Sequence, residues 1–335
     1  MKSSLTLLAV LLAVFGSAII GSGVKLAATE VHRLSNAGNA ALPLKCDGAG
    51  NIYGRFGSGG PSVFQVSKFA PDGAKKSSYS YQSEPDLKAA FLEDFAVGDS
   101  GEVYELLSAR KNRSFLVAFR ADGEVDEKAE IAIGRPLNLS HIVALAGGRV
   151  FVSGSLAGDE LGRNAGKPFN AILDDGGNLI REITLKDDAS PKEAKTADPN
   201  GDANPAVRWG RAVGGDDGNI YVMRQGAPAV VYVVSPGGGL VRKLKIASPL
   251  EKAQAIDLRV NRGRLAIEFS LPDAPDVSDT RIRVADAYTG RSIADYAITP
   301  QMSEAVACYQ NDGNDRFTFL GSTDGWPAIV QASAR

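Results

Sequence analysis

The sequence is poor in the residues on which most enzymatic chemistry is built, with 2 His, 2 Cys, 3 Met and 2 Trp among 335 residues. Two histidines exclude a zinc site made mainly of imidazole, and a Ser-His-Asp triad would have to use His141, beside which no serine motif stands. No G-x-S-x-G, H-E-x-x-H, C-x-x-C, P-loop or helix-opening G-x-G-x-x-G is found, so no catalytic residue is assigned. A surplus of charge is lacking too. Lys+Arg 37 against Asp+Glu 39 argues against nucleic acid and against an acidic membrane surface as partners. The longest apolar stretch, residues 5–20, is interrupted only by Thr6, Gly16 and Ser17. As a helix it covers about 24 Å, short of the roughly 30 Å hydrocarbon core. Behind Lys2 it reads as a secretory signal peptide, residues 1–28, cleaved near Ala18 or Ala28, and no Cys follows closely enough for a lipid anchor. The remainder, residues 29–335, is expected in the periplasm or outside the cell, off the membrane and in an oxidising space.

Glycine is plentiful, at 37 residues, and it is spaced. GNIY at 50–53, GEVY at 101–104, GRVF at 148–151, GNIY at 218–221 and GRLA at 263–266 are followed by a looser GNDRFTF from Gly313, at intervals of 51, 47, 70, 45 and 50 residues. Each Gly separates two short apolar runs, which predicts two antiparallel strands joined by a tight turn. Further on, a third strand enters a second turn, as in FAPDG at 69–73, FRADG at 119–123, LDDGG at 173–177 and VSPGG at 234–238, and a fourth strand follows. Four strands in about 47 residues make a propeller blade. Six such units predict an all-β, six-bladed β-propeller with four-stranded antiparallel blades and one insertion, residues 186–206, that lengthens the third interval. That insertion has no large apolar residue and is expected to be mobile.

The sixth unit shows only three strands before the chain ends, and TEVHRL at 29–34 alternates as an outer strand does. This N-terminal strand is predicted to close the last blade. Cys46 and Cys308 hold equivalent places on the innermost strands of the first and sixth units, neighbours in a closed ring, so a disulfide between them is predicted.

The DGAGNIY run at 47–53 and the FAPDG turn resemble the D-x-x-G-N-[IV]-Y-[VI] core and the S-P-D-G-like turn of the NHL-type and related six-bladed β-propellers. The resemblance extends as a pattern over nearly the whole mature chain and departs in lacking the Asp that often follows the Y-V pair, since Gly54-Arg55 follows Tyr53 and Met223-Arg224 follows Val222. It implies fold rather than activity.

Propellers bind at the mouth of the central channel, where innermost strands begin. Counting back from each repeat Gly, position minus seven supplies Asp94, His141 and Arg211, and position minus nine supplies Trp209, Gln254 and Glu304. Equal parity places these six on one face of their strands, as a ligand-binding set for a partner protein, a peptide or a polar small molecule. As a binding site the channel would hold Asp94 and Arg211 as exposed charges that add little to stability; the plainer reading is a merely solvated channel. The alternative function is a metal-dependent, lactonase-like or lyase-like enzyme, with Asp94, Gln254 and Glu304 as metal donors. No cofactor is expected. Asp198, Asn200, Asp202 and Asn204 alternate as in a calcium loop, but Ala203 and Trp209 stand where such a loop wants Gly and a carboxylate. A monomer is expected.

Overall fold

Glycine and aspartate together fix the hairpin turns. In a computed structural model that describes residues 23–57, 65–110, 112–158, 164–188, 204–272, 280–299, 302 and 305–334, Asp47 Oδ1 accepts the N–H groups of Ala49 and Asn51, both at 3.0 Å. Its Oδ2 accepts from the Asn51 side chain at 2.8 Å and the Tyr53 hydroxyl at 3.1 Å. Asp217, two residues nearer its glycine, likewise binds the N–H and side chain of Asn219 and the Tyr221 hydroxyl. The recurring G-N-I-Y therefore has a physical basis: Gly50 and Gly218 take φ of +80° and +75°, Asn and Tyr bind the turn aspartate, and the Tyr ring enters the core.

Strand β1 (Val24–Arg33) precedes the first sheet, which comprises β2 (Asn39–Cys46), β3 (Ile52–Gly57), β4 (Gln65–Phe69) and β5 (Lys75–Tyr79). The second holds β6 (Phe91–Val97), β7 (Val103–Ala109), β8 (Arg113–Phe119) and β9 (Val125–Glu130). The third holds β10 (Leu137–Ala144), β11 (Val150–Leu156), β12 (Pro168–Leu173) and β13 (Leu179–Glu182). After a short helix α1 (Pro205–Arg208), the fourth holds β14 (Arg211–Gly214), β15 (Ile220–Arg224), β16 (Ala229–Val234) and β17 (Leu240–Ile246). Each is a four-stranded antiparallel meander. The remaining strands are β18 (Gln254–Asn261), β19 (Arg264–Ser270), β20 (Thr280–Asp286), β21 (Ser292–Ala297), β22 (Ala305–Asn311), β23 (Asp315–Thr323) and β24 (Trp326–Ala334). They join β1 in one eight-stranded sheet, in the order β18-β19-β20-β21-β1-β24-β23-β22.

The chain is thus an all-β, propeller-like arrangement of four-stranded antiparallel blades. Its hydrogen bonding does not separate six sheets, because Val24 and Lys25 lie parallel beside Tyr296 and Ala297 and join β21 to β1. Beyond that junction β1 runs antiparallel to β24, from Leu26 against Ala334 to Arg33 against Ala328. The pairing begins well before the expected residue 29. The core lies between neighbouring sheets, as where Tyr53, Tyr79, Phe95 and Phe119 pack together. The innermost strands β2, β6, β10, β14, β18 and β22 touch in a closed cycle. Cys46 and Cys308 form the predicted disulfide between β2 and β22, with Cα atoms 5.6 Å apart, within the ordinary range.

The second turns press against neighbouring sheets. Gly123 closes its turn with an N–H bond to Arg120 O at φ +97°, and a Cβ there would lie 2.5 Å from Ser78 O on β5. Gly123→Ala therefore combines backbone strain with a clash against main chain that has no room to yield, and is expected to cost about 2–4 kcal/mol. Chemical denaturation reads this directly. An unchanged midpoint would mean that the turn does not seat on β5.

Candidate functional site

The innermost strands carry a feature that shifts their side chains. The ladder with the second strand slips between Ala41 and Leu44, Leu92 and Asp94, Leu139 and His141, Ala255 and Asp257, and Val306 and Cys308. β14 pairs with β15 without a slip. An extra residue at a bulge exchanges the two faces of the strand beyond it. Counting by parity across that point therefore fails: Leu92 and Leu139, two residues before Asp94 and His141, are core residues. Past the slip Asp94, His141 and Asp257 occupy matching places, opposite Leu106, Ser153 and Glu268.

A cavity of about 670 Å³ opens where these strands converge. Four residues of the predicted set line it: Asp94, His141, Trp209 and Arg211. Gln254 pairs with Ser270 at the start of β18 and is not among the lining residues described. Glu304 lies outside the described residues.

Within the cavity wall, charges join one strand to the next. Lys45 Nζ on β2 lies 2.9 Å from Asp94 Oδ1 on β6. Asp94 also accepts the N–H of Phe95 at 2.8 Å and, through Oδ2, that of Ile142 on β10 at 2.9 Å. His141 Nε2 meets Val207 O of α1 at 2.8 Å; the carbonyl can only accept, so Nε2 carries the proton. Arg211 Nε on β14 donates to Asp257 Oδ1 on β18 at 3.2 Å, and Arg259 Nη1 donates to the same oxygen at 2.6 Å. Arg259 closes the cycle, giving Nε to Ala307 O on β22 at 2.9 Å and Nη2 to Leu44 O on β2 at 2.8 Å. Asp94 is thus not the exposed charge expected from sequence but a residue only 4% exposed. Lys45, Asp257 and Arg259 escaped the sequence count. No signal in the sequence marks where a strand slips, so counting by parity does not reach them.

Burial governs the titration of these groups. It lowers Lys45 against the pull of Asp94. It pushes His141 down to about 4, so the imidazole is neutral at pH 7. Glu268, opposite Asp257, is pushed up to about 8, first by burial and then by the Asp257 charge, and its Oε2 has no hydrogen-bond partner among the described residues.

Among the described residues, no group of three or more His, Cys, Asp or Glu is placed to hold a metal ion. Asn204, from the calcium-like pattern, instead caps α1: its side chain accepts the Ala206 N–H at 3.2 Å and donates to Gly166 O at 3.0 Å. Asp198, Asn200 and Asp202 lie outside the described residues. The ends of the 186–206 insertion are anchored, which the expected solvated loop did not foresee. Asp188 holds Arg224 in a buried, two-pronged ion pair at 2.6 and 2.7 Å, and Asn204 is buried.

No family model matches the chain, and no curated protein matches it. Solved structures do. A protein of unknown function from Dyadobacter fermentans has 10% identity and a TM-score of 0.56, with 92% of this chain and 99% of that one covered. A luciferin-regenerating enzyme has 10% identity and a TM-score of 0.52, covering 91% and 95%. The PQQ-bound aldose sugar dehydrogenase of Streptomyces coelicolor has 11% identity and a TM-score of 0.47, covering 92% and 98%. At such identities the likeness concerns fold alone.

The Glu268 shift has a direct consequence for stability. Below about pH 4.5 both folded and unfolded chains hold this proton; between 4.5 and 8 only the unfolded chain releases it, so stability is lost across that window. His141 acts in the opposite sense, its contribution being lost as pH falls from 6.5 through about 4. Glu268→Gln removes the alkaline loss. It is expected to exceed the wild type in stability by roughly 3–5 kcal/mol at pH 8 and by little at pH 5. Denaturation at the two pH values checks this, and a difference independent of pH would exclude a neutral buried Glu268.

Proposed function

We propose that the chain is an exported six-bladed β-propeller that binds a partner protein, a peptide or a polar ligand at the mouth of its central channel. The count of six is supported by how second-turn glycines seat. A Cβ on Gly123 would meet Ser78 O of β5, one on Gly177 would meet Glu130 O of β9, one on Gly238 would meet Arg181 of β13, and one on Gly290 would meet Ile246 of β17. Each turn rests on the outermost strand of the preceding blade. A Cβ on Gly73 of the first blade would meet Arg33 O of β1, so β1 stands as the outermost strand of the blade formed with β22–β24. The two-residue parallel junction then links the rims of two blades.

Export is supported by the leader-like residues 1–18 and by the disulfide, which persists in oxidising compartments. No helix among the described residues is long and apolar enough to cross a membrane. Cleavage after Ala18 leaves β1 whole. Cleavage after Ala28 removes half of it, including Leu26, which packs with Tyr296, Val330 and Ala332.

The observation that carries the binding reading is the channel cavity, whose size falls in the roughly 300–1,000 Å³ span of ligand sites. Its polar groups are held in place by neighbouring strands, and Trp209, 55% exposed, stands on its lining beside Arg208. Trp326→Phe would leave Trp209 as the one tryptophan of the chain. Titrating this variant with peptides and polar small molecules is expected to yield at least one saturable change in Trp209 emission. Failure of every compound, or calorimetric binding of a responding compound that persists undiminished in Trp209→Ala, would overturn the reading.

A further inference from the structure

The channel contains more positive charge than its own carboxylates neutralise. Among the described lining residues, Lys and Arg outnumber Asp and Glu six to four. At the narrow belt the same ratio holds, Lys45, Arg211 and Arg259 sharing Asp94 and Asp257. Both carboxylates are already well supplied with donors. Asp94 receives Lys45 and two backbone N–H groups, and Asp257 Oδ1 receives Arg211, Arg259 and the Leu258 N–H.

The cations are not equally engaged. Arg259 spends its nitrogens on Asp257 and on three carbonyl oxygens. Arg211 uses Nε on Asp257 and Nη1 on Gly210 O, and its Nη2 bonds no described residue. Lys45 has three ammonium hydrogens, with Asp94 at 2.9 Å and Ile142 O at a long 3.4 Å. On β10, between the strands of Lys45 and Arg211, His141 gives its Nε2 proton to Val207 O, so Nδ1 is the acceptor nitrogen of the ring. Fixed donors with an unbalanced charge in a partly desolvated channel favour an anion. A neutral ring acceptor beside them suits a hydroxyl donor.

We infer that the channel is a hydroxycarboxylate site, in which a ligand carboxylate takes Arg211 Nη2 and the spare Lys45 hydrogen and a ligand hydroxyl donates to His141 Nδ1. The inference rests on the channel being the binding site and adds the chemical class of what it takes. It also assigns separate tasks: Lys45 and Arg211 select charge, His141 selects the hydroxyl, and Arg259 positions the wall without contacting the ligand.

Calorimetry at constant ionic strength tests this with three probes of similar length: L-tartrate, its uncharged counterpart threitol, and succinate, which has both carboxylates and no hydroxyl. Tartrate is expected to bind saturably, threitol not at all, and succinate roughly tenfold more weakly than tartrate. In Arg211→Gln, where Arg259 still pairs Asp257, tartrate binding is expected to fall by about tenfold or more. If that variant fails to fold, the three-probe comparison on the wild type decides alone. Absence of tartrate binding, equal binding of threitol, or a tartrate affinity unchanged in a folded Arg211→Gln would each overturn the hydroxycarboxylate assignment. A neutral peptide or polyol that moves Trp209 emission while tartrate does not would sink this inference and leave channel binding standing.

Discussion

A ring of sheets is stable only if its first and last members are held together as firmly as the rest, and in this chain a single arginine spans that junction from the inside. Arg259 starts on β18 and reaches carbonyl oxygens on both β22 and β2, while its remaining nitrogen binds Asp257 on its own strand. Two further ties act at other radii. The disulfide between Cys46 and Cys308 joins β22 to β2 directly, and at the rim β1 completes the last sheet by pairing with β24. The disulfide constrains mainly the unfolded chain, whereas Arg259 and β1 act on the folded one. Losing any one of these ties leaves the ends of the ring joined by the other two.

Much of the architecture was legible because turns are written locally. Gly50, Gly101, Gly148, Gly218, Gly263 and Gly313 all take positive φ, a demand that recurs from unit to unit whatever the rest of the sequence does, and in two of these turns Asp47 and Asp217 bind Asn and Tyr as well. The disulfide followed from that register, since equivalent places on neighbouring innermost strands are close in any closed ring. The extent of β1 was less legible. Its first residues, Val24 and Lys25, belong to a stretch that also reads as the end of a leader, and only their pairing with Tyr296 and Ala297 reveals them as strand.

The channel was only partly legible, for a reason of geometry rather than chemistry. Alternation predicts facing as long as a strand is regular, and most innermost strands are not, slipping by one residue near the middle. Asp94 and His141 lie just past the slip and were found. Asp257 lies at the same place on β18, but the residue seven before Gly263 is its neighbour Ile256. Lys45 and Arg259 stand further along, beyond the segment assigned to the channel mouth. The bulge leaves no compositional mark in a strand: the residues at the slip, among them Glu93, Ser140, Ile256 and Ala307, share no property.

The position of the innermost strands bears on why the channel is charged. Each is the edge of its sheet, so backbone groups facing away from the ladder need other partners, and side chains supply them: Asp94 takes the Ile142 N–H, and Arg259 takes Leu44 O and Ala307 O. A buried ion pair alone is seldom more stabilising than apolar packing of equal volume. Here, however, an apolar replacement of Asp94 or Arg259 would strand main-chain donors and acceptors on three strands, at a cost of about 1–3 kcal/mol for each unsatisfied group. That demand accounts for Asp94, Asp257 and Arg259. It does not account for Lys45, whose bond to Ile142 O is long, or for the outer nitrogen of Arg211. Of the three belt cations Lys45, Arg211 and Arg259, architecture therefore accounts for the last and leaves the charge of the first two, on either side of His141, without a structural reason.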